Sequence, residues 1–99
     1  MTAYVLVLST PNPTGAESRQ KYGEGVRPLL SAVGAKPLLR GEVVETLAGS
    51  EHATTAMVLR FTDTQTAKAF FEQDAYRDLI PHRSKGFRRM EILIIGEQS

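Results

Sequence analysis

The chain of 99 residues carries 12 Lys plus Arg against 11 Asp plus Glu, a formal charge of +1, and has no cysteine. So short a chain is expected to hold one domain over residues 1–99, and Leu, Ile, Val and Phe supply 25 residues, enough for a modest core. The charge balance gives no basis for strong non-specific attraction to nucleic acid or an anionic membrane, and the lack of cysteine excludes a disulfide frame, a thiol nucleophile, iron–sulfur ligation and cysteine-based zinc sites.

In chain order, the first feature is the apolar run Ala3–Leu8, stopped by Ser9, Thr10 and Pro11. It is too short for a signal segment, and the first basic residue, Arg19, follows it. No window approaches the about 18–20 apolar residues that span a bilayer, so a cytoplasmic protein is expected. Tyr4-Val5-Leu6-Val7-Leu8 reads as a strand with apolar side chains on both faces. Thr14 and Glu17 form a T-x-x-E pattern, the expected capping box of a helix carrying Tyr22, Val26, Leu29, Leu30 and Val33 on one face. Gly34 suits its C-terminal stop. Pro28, with Gly23 and Gly25, predicts a kink or two shorter segments, because proline has no N–H to donate to the Glu24 carbonyl.

Leu38 to Leu47 is the second expected strand, with a bulge at Gly41 because Val43-Val44 breaks the alternation. Ala48-Gly49-Ser50-Glu51 has turn chemistry, and Thr54 to Phe61 is the third strand. Asp63 is the expected N-cap of a helix with Ala67, Phe70 and Phe71 inward. Asp74 is expected to cap a further turn bearing Tyr76, Leu79 and Ile80, ended by Pro81, and Met90 to Ile95 is the last strand. The order is β-α-β-β-α-β, an α+β, ferredoxin-like sandwich in which helices cover one face of a four-stranded antiparallel sheet.

The second face of such a sheet normally alternates with polar residues. Here Val5-Leu6-Val7-Leu8, Ala56-Met57-Val58-Leu59 and Ile92-Leu93-Ile94-Ile95 are apolar at both parities. A bare face of that kind would be an unusually large apolar patch, so an identical sheet from a second copy is the expected cover. The reading is a homodimer with a closed or nearly closed interior between two sheets.

Ala3-Tyr4-Val5, Tyr22 with Pro28-Leu29-Leu30, Leu39-Arg40-Gly41 with Glu45 and Gly49, Leu59-Arg60-Phe61 with Ala67 and Phe70, Asp74-Ala75-Tyr76, Arg83 and Gly96-Glu97 occur in an order that resembles the domain-of-unknown-function 1330 family of the dimeric α/β-barrel superfamily. The likeness spans nearly the whole chain. It implies a protomer that pairs sheet to sheet, and superfamily relatives that include cofactor-less monooxygenases, muconolactone-type isomerases, haem enzymes and ligand-sensing domains. It implies no particular activity. Ala35-Lys36 stands where the family usually has Gly-Arg, and Asp74-Ala75 lacks the usual proline; both departures fall at element ends and bear on the rim of any pocket.

Five residues are candidates for chemistry. Arg40, among apolar strand neighbours, has the fork to clamp a carboxylate or phosphate, or else pairs with Glu42 or Glu45 at a sheet edge. Arg83 is the second candidate anion ligand. His82 is the candidate general acid or base, since its ordinary pKa lies nearest neutrality, although a histidine at a helix end is more often a solvated cap. Tyr22 and Tyr76 are candidate ligand contacts, against the commoner reading of packed tyrosines that satisfy one hydroxyl bond. No metal site is expected: the two histidines are 30 residues apart, Glu51-His52 reads as an exposed loop, and nothing positive favours haem ligation by His82. Gly23-Glu24-Gly25 lacks the context of a dinucleotide fingerprint, and Asn12-Pro13-Thr14 is not a glycosylation site. Lys85-Gly86-Phe87-Arg88 opens like an RNA-recognition signature, in a segment made locally basic by Arg77, Arg83, Lys85, Arg88 and Arg89. Arg88-Arg89 nevertheless occupy positions that need a small residue and a stacking aromatic. The expectation is a small homodimer that binds a small anionic, partly apolar molecule, without nucleic-acid or membrane partners and without a cofactor. It is either a cofactor-less monooxygenase- or isomerase-like enzyme, or a non-catalytic ligand-binding or regulatory module.

Overall fold

The computed structural model describes residues 2–50 and 52–96; Glu51, expected in a turn, and Glu97, part of the resemblance, lie outside them. Strand β1 (Ala3–Pro11) is central in the sheet. Helix α1 (Ala16–Ala32) follows, then strands β2 (Lys36–Glu42) and β3 (Thr55–Phe61), helices α2 (Thr64–Glu72), α3 (Asp74–Arg77) and α4 (Ile80–Gly86), and strand β4 (Phe87–Gly96). The sheet order is β2-β3-β1-β4, and every neighbouring pair is antiparallel. The architecture is the expected ferredoxin-like α+β fold, with the second helical layer broken into three short pieces.

Side-chain alternation explains how one strand serves two faces. Ala3, Val5, Val7 and Ser9 of β1 are buried, and the residues between them are half-buried. Val5 pairs with Leu59 and Ile94, and Val7 with Met57 and Ile92, so these six residues belong to the helix-covered face. Tyr22, Val26, Leu29, Leu30 and Val33 of α1 close over that layer, joined by Ala67, Phe70 and Tyr76. Phe61, Phe70, Phe71 and Tyr76 form a chain of ring contacts with centroids 4.9–6.4 Å apart. The other face carries Leu6, Leu8, Val58, Leu93 and Ile95 at the alternate register positions, and Leu93 and Ile95 are exposed. Both expected faces are therefore apolar, and only one is covered by this chain.

Several boundaries differ from the sequence expectations. The capping box does not form: Gly15 is the N-cap of α1, and Thr14 turns back to bond Asn12 Oδ1 through its N–H at 3.3 Å and its hydroxyl at 3.2 Å. Helix α1 runs as one segment through Pro28 instead of splitting in two, and Gly34 (φ 70°) ends it, with Ala35 N–H bonded to Leu30 O. Strand β2 stops at Glu42 and its register shift lies between Pro37 and Leu39, not at Gly41. Asp63 caps α2 as expected, accepting the Thr66 N–H at 2.7 Å. Asp74 lies inside the first turn of α3, whose N-cap is Gln73. Pro81 opens α4 instead of closing a helix, since the first turn is where a missing N–H is harmless. Strand β4 begins at Phe87, three residues earlier than expected.

Close backbone approach fastens α1 to α4. Asn12 N–H donates to Gly86 O at 3.0 Å, and Asn12 Nδ2 donates to Lys85 O at 3.1 Å. The Arg19 guanidinium donates to the carbonyls of Asn12 and Gly86. A Cβ on Gly15 would lie 2.2 Å from Lys85 O, and one on Gly86 would lie 2.9 Å from the Arg19 backbone nitrogen, so the junction has no room for either.

Candidate functional site

The α3–α4 turn sets the geometry of the site. Leu79 N–H bonds to Tyr76 O and Arg83 N–H bonds to Leu79 O, so the two short helices follow one another almost without a break. Tyr76 and Arg83 are seven residues, about two helical turns, apart and so share a face. Arg83 Nη1 donates to the Tyr76 hydroxyl at 2.9 Å, with its guanidinium carbon 5.9 Å from the ring centroid. The Tyr76 ring is only 2 % exposed. From α1, the Tyr22 hydroxyl meets that of Tyr76 at 2.8 Å and reaches Met90 Sδ of β4 at 3.8 Å. Arg83, Tyr76, Tyr22 and Met90 thus form one continuous chain of contacts, in which Arg83 donates to Tyr76 and either hydroxyl can donate across the Tyr22–Tyr76 bond.

Burial, and then the bond to Tyr76, push the Tyr22 pKa well above the ordinary phenol value, against a smaller opposing pull from Arg83. Tyr22 therefore stays neutral at physiological pH: it can donate a hydrogen bond but cannot act as a phenolate base. The cluster borders a surface recess of about 320 Å³ lined by Arg83, Ser84, Phe87, Arg88, Arg89 and Met90. Phe87 packs edge-on against Tyr22, with centroids 5.9 Å apart. Arg88 is the extra residue where the β1–β4 register shifts between Thr10 and Pro11. Arg89 pairs with Glu91, which offsets part of its charge. The recess thus joins to an apolar wall two guanidinium groups, Arg83 and Arg88, that have no acidic partner among the described residues.

Of the five candidates, Tyr22, Tyr76 and Arg83 are brought together. Arg40 is not: its register partner is Met57 on β3, so it sits on the far edge strand of the sheet from β4, exposed, and without an ion-pair partner among the described residues. His82 is half-buried on α4, and its side chain has no hydrogen-bond partner among the described residues. No group of three or more His, Cys, Asp or Glu side chains among the described residues is arranged to hold a metal. Arg88 and Arg89 were legible only as local basicity; no alternation marks a bulge residue as a pocket residue.

A family model described as "domain of unknown function (DUF1330)" matches residues 2–97, and the chain belongs to that family. Among solved structures, a protein of unknown function from Rhodopseudomonas palustris is 18 % identical with a TM-score of 0.80, over 99 % of this chain and 83 % of that one. A dimeric ferredoxin-like protein of unknown function from Jannaschia sp. CCS1 is 14 % identical with a TM-score of 0.73, over 98 % and 100 %. A dimeric protein of unknown function with a ferredoxin-like fold from Bacteroides fragilis is 9 % identical with a TM-score of 0.65, over 97 % and 96 %. At these identities the likeness establishes the fold. No curated protein is significantly similar to the chain.

Proposed function

We propose, with that family membership as the premise, that the protein is a cytoplasmic homodimer paired through its open sheet faces, whose recess beside β4 binds a small anion with an apolar body. The observation that carries the ligand reading is the fixed Arg83 guanidinium, held by the buried Tyr76 hydroxyl at 2.9 Å on the wall of a recess that also presents Arg88 and Phe87. A guanidinium whose position is set before the ligand arrives loses less freedom on binding and suits a carboxylate or phosphate. The apolar open face and the dimeric state of the Jannaschia and Bacteroides fragilis proteins support pairing. Binding is favoured over catalysis, because the neutral Tyr22 is no base and His82 stands apart from the chain of contacts.

The test is native mass spectrometry of the protein as purified from cells, followed by calorimetric titration with benzoate and inorganic phosphate. A two-chain mass and benzoate binding that weakens about tenfold or more in Arg83→Gln and Arg88→Ala support the proposal. Unchanged affinity in both variants, or no binding of either anion, overturns the ligand reading. A catalytic role for His82 would instead show as an activity that is lost in His82→Gln.

A further inference from the structure

The segment between β2 and β3 is longer than its topology needs. Two antiparallel neighbours can be joined by two residues, yet twelve lie between Glu42 and Thr55. Val43 N–H bonds to Thr54 O at 2.9 Å, which carries the ladder one step past both strands. Residues 43–50 then have no regular structure, and Val44 is 94 % exposed and Leu47 89 % exposed. Leu39 lies opposite Val58, so alternation places Leu39, Gly41 and Val43 on the open face, and the apolar strip of that face runs on into the segment.

We infer that this segment is an arm that docks on a second copy of the chain, its Val44 and Leu47 side chains seated on the other copy. The inference rests on the reading that copies pair through their open faces, and extends that interface beyond the sheet. Surface area argues for this occupant. The chain exposes 6711 Å², against about 5,600 Å² expected for a monomer of its 10.9 kDa mass. A surplus of that kind fits a chain whose open face and protruding segment are covered by a second copy.

The chain has no cysteine, so Leu47→Cys supplies a unique attachment point for a benzophenone photo-crosslinker. Natural-abundance and ¹⁵N-labelled chains, mixed by unfolding and refolding together, should give crosslinked peptide pairs with one heavy and one light member. Val44→Asp with Leu47→Asp, at two sites already in solvent, should keep the native circular dichroism and weaken self-association by about tenfold or more in sedimentation equilibrium. A wild-type chain that sediments alone overturns the sheet-face pairing and the arm together. A wild-type dimer with crosslinks only within one chain, and a double variant that associates as tightly as wild type, overturns the arm and leaves the sheet-face pairing standing.

Discussion

Asp63 illustrates how far one side chain can be followed. Its carboxylate is held below its ordinary pKa by the bonds it accepts from Thr66 at the start of α2. A lowered folded pKa favours the folded state above the unfolded value of about 3.9, and that advantage is lost as pH falls through the folded value. Asp63→Ala should therefore lower Tm by roughly 4–8 °C at neutral pH, and the gap to wild type should shrink in thermal melts below pH 4. Tyr22 runs the other way: its raised folded pKa stabilises the fold below about pH 10 and ceases to do so as pH rises further. Absorbance at 295 nm should show a phenolate component that appears only with alkaline unfolding and is gone in Tyr22→Phe. Tyr76→Phe removes the acceptor for Arg83 and the hydroxyl partner of Tyr22, so it should cost about 1–2 kcal/mol in denaturant melts and weaken benzoate binding several-fold. The Asp63 cap was legible because a lone carboxylate before an apolar helix face has one use. The Thr14 cap misled because Asn12, two residues earlier, offers a nearer acceptor.

At the scale of elements, glycine and proline decided what hydrophobic periodicity could not. The helix faces around Val26 and Phe70 and the strand through Val5 follow directly from spacing. The α1–α4 junction does not, because it depends on Gly15 and Gly86 being small against backbone that lies about seventy residues away. Gly86→Ala should destabilise by about 1–3 kcal/mol, whereas Gly41→Ala, with nothing within 4 Å of the added carbon, should be close to neutral in the same melts. A proline after an apolar turn usually stops a helix, yet Pro81 opens one. Its place in the first turn of α4 follows from Leu79 already being helical (φ −89°, ψ −10°), so α4 begins where α3 ends. That continuity aligns Tyr76 with Arg83, and with it three of the five candidate residues; the separation of Arg40 is a matter of sheet order, which sequence alone leaves open.

For the whole molecule, the apolar character of both sheet faces was legible from strand parity, and the exposed Leu93 and Ile95 show which face is left open. If copies pair through the open face, Tm should rise with protein concentration in wild type and become concentration-independent, and lower, in Leu6→Asp. The position of β1 carries a separate consequence. It is the first of the four sheet strands in chain order and lies between β3 and β4, with Leu6 paired to Leu93 across nearly ninety residues of chain. At about 5–20 residues per second, the ribosome delivers that last partner roughly 4–18 s after the first strand emerges. Through that interval the β4-facing edge of β1 is unpaired, so mutations that slow β4 pairing should reduce soluble yield more than they reduce the stability of the finished fold.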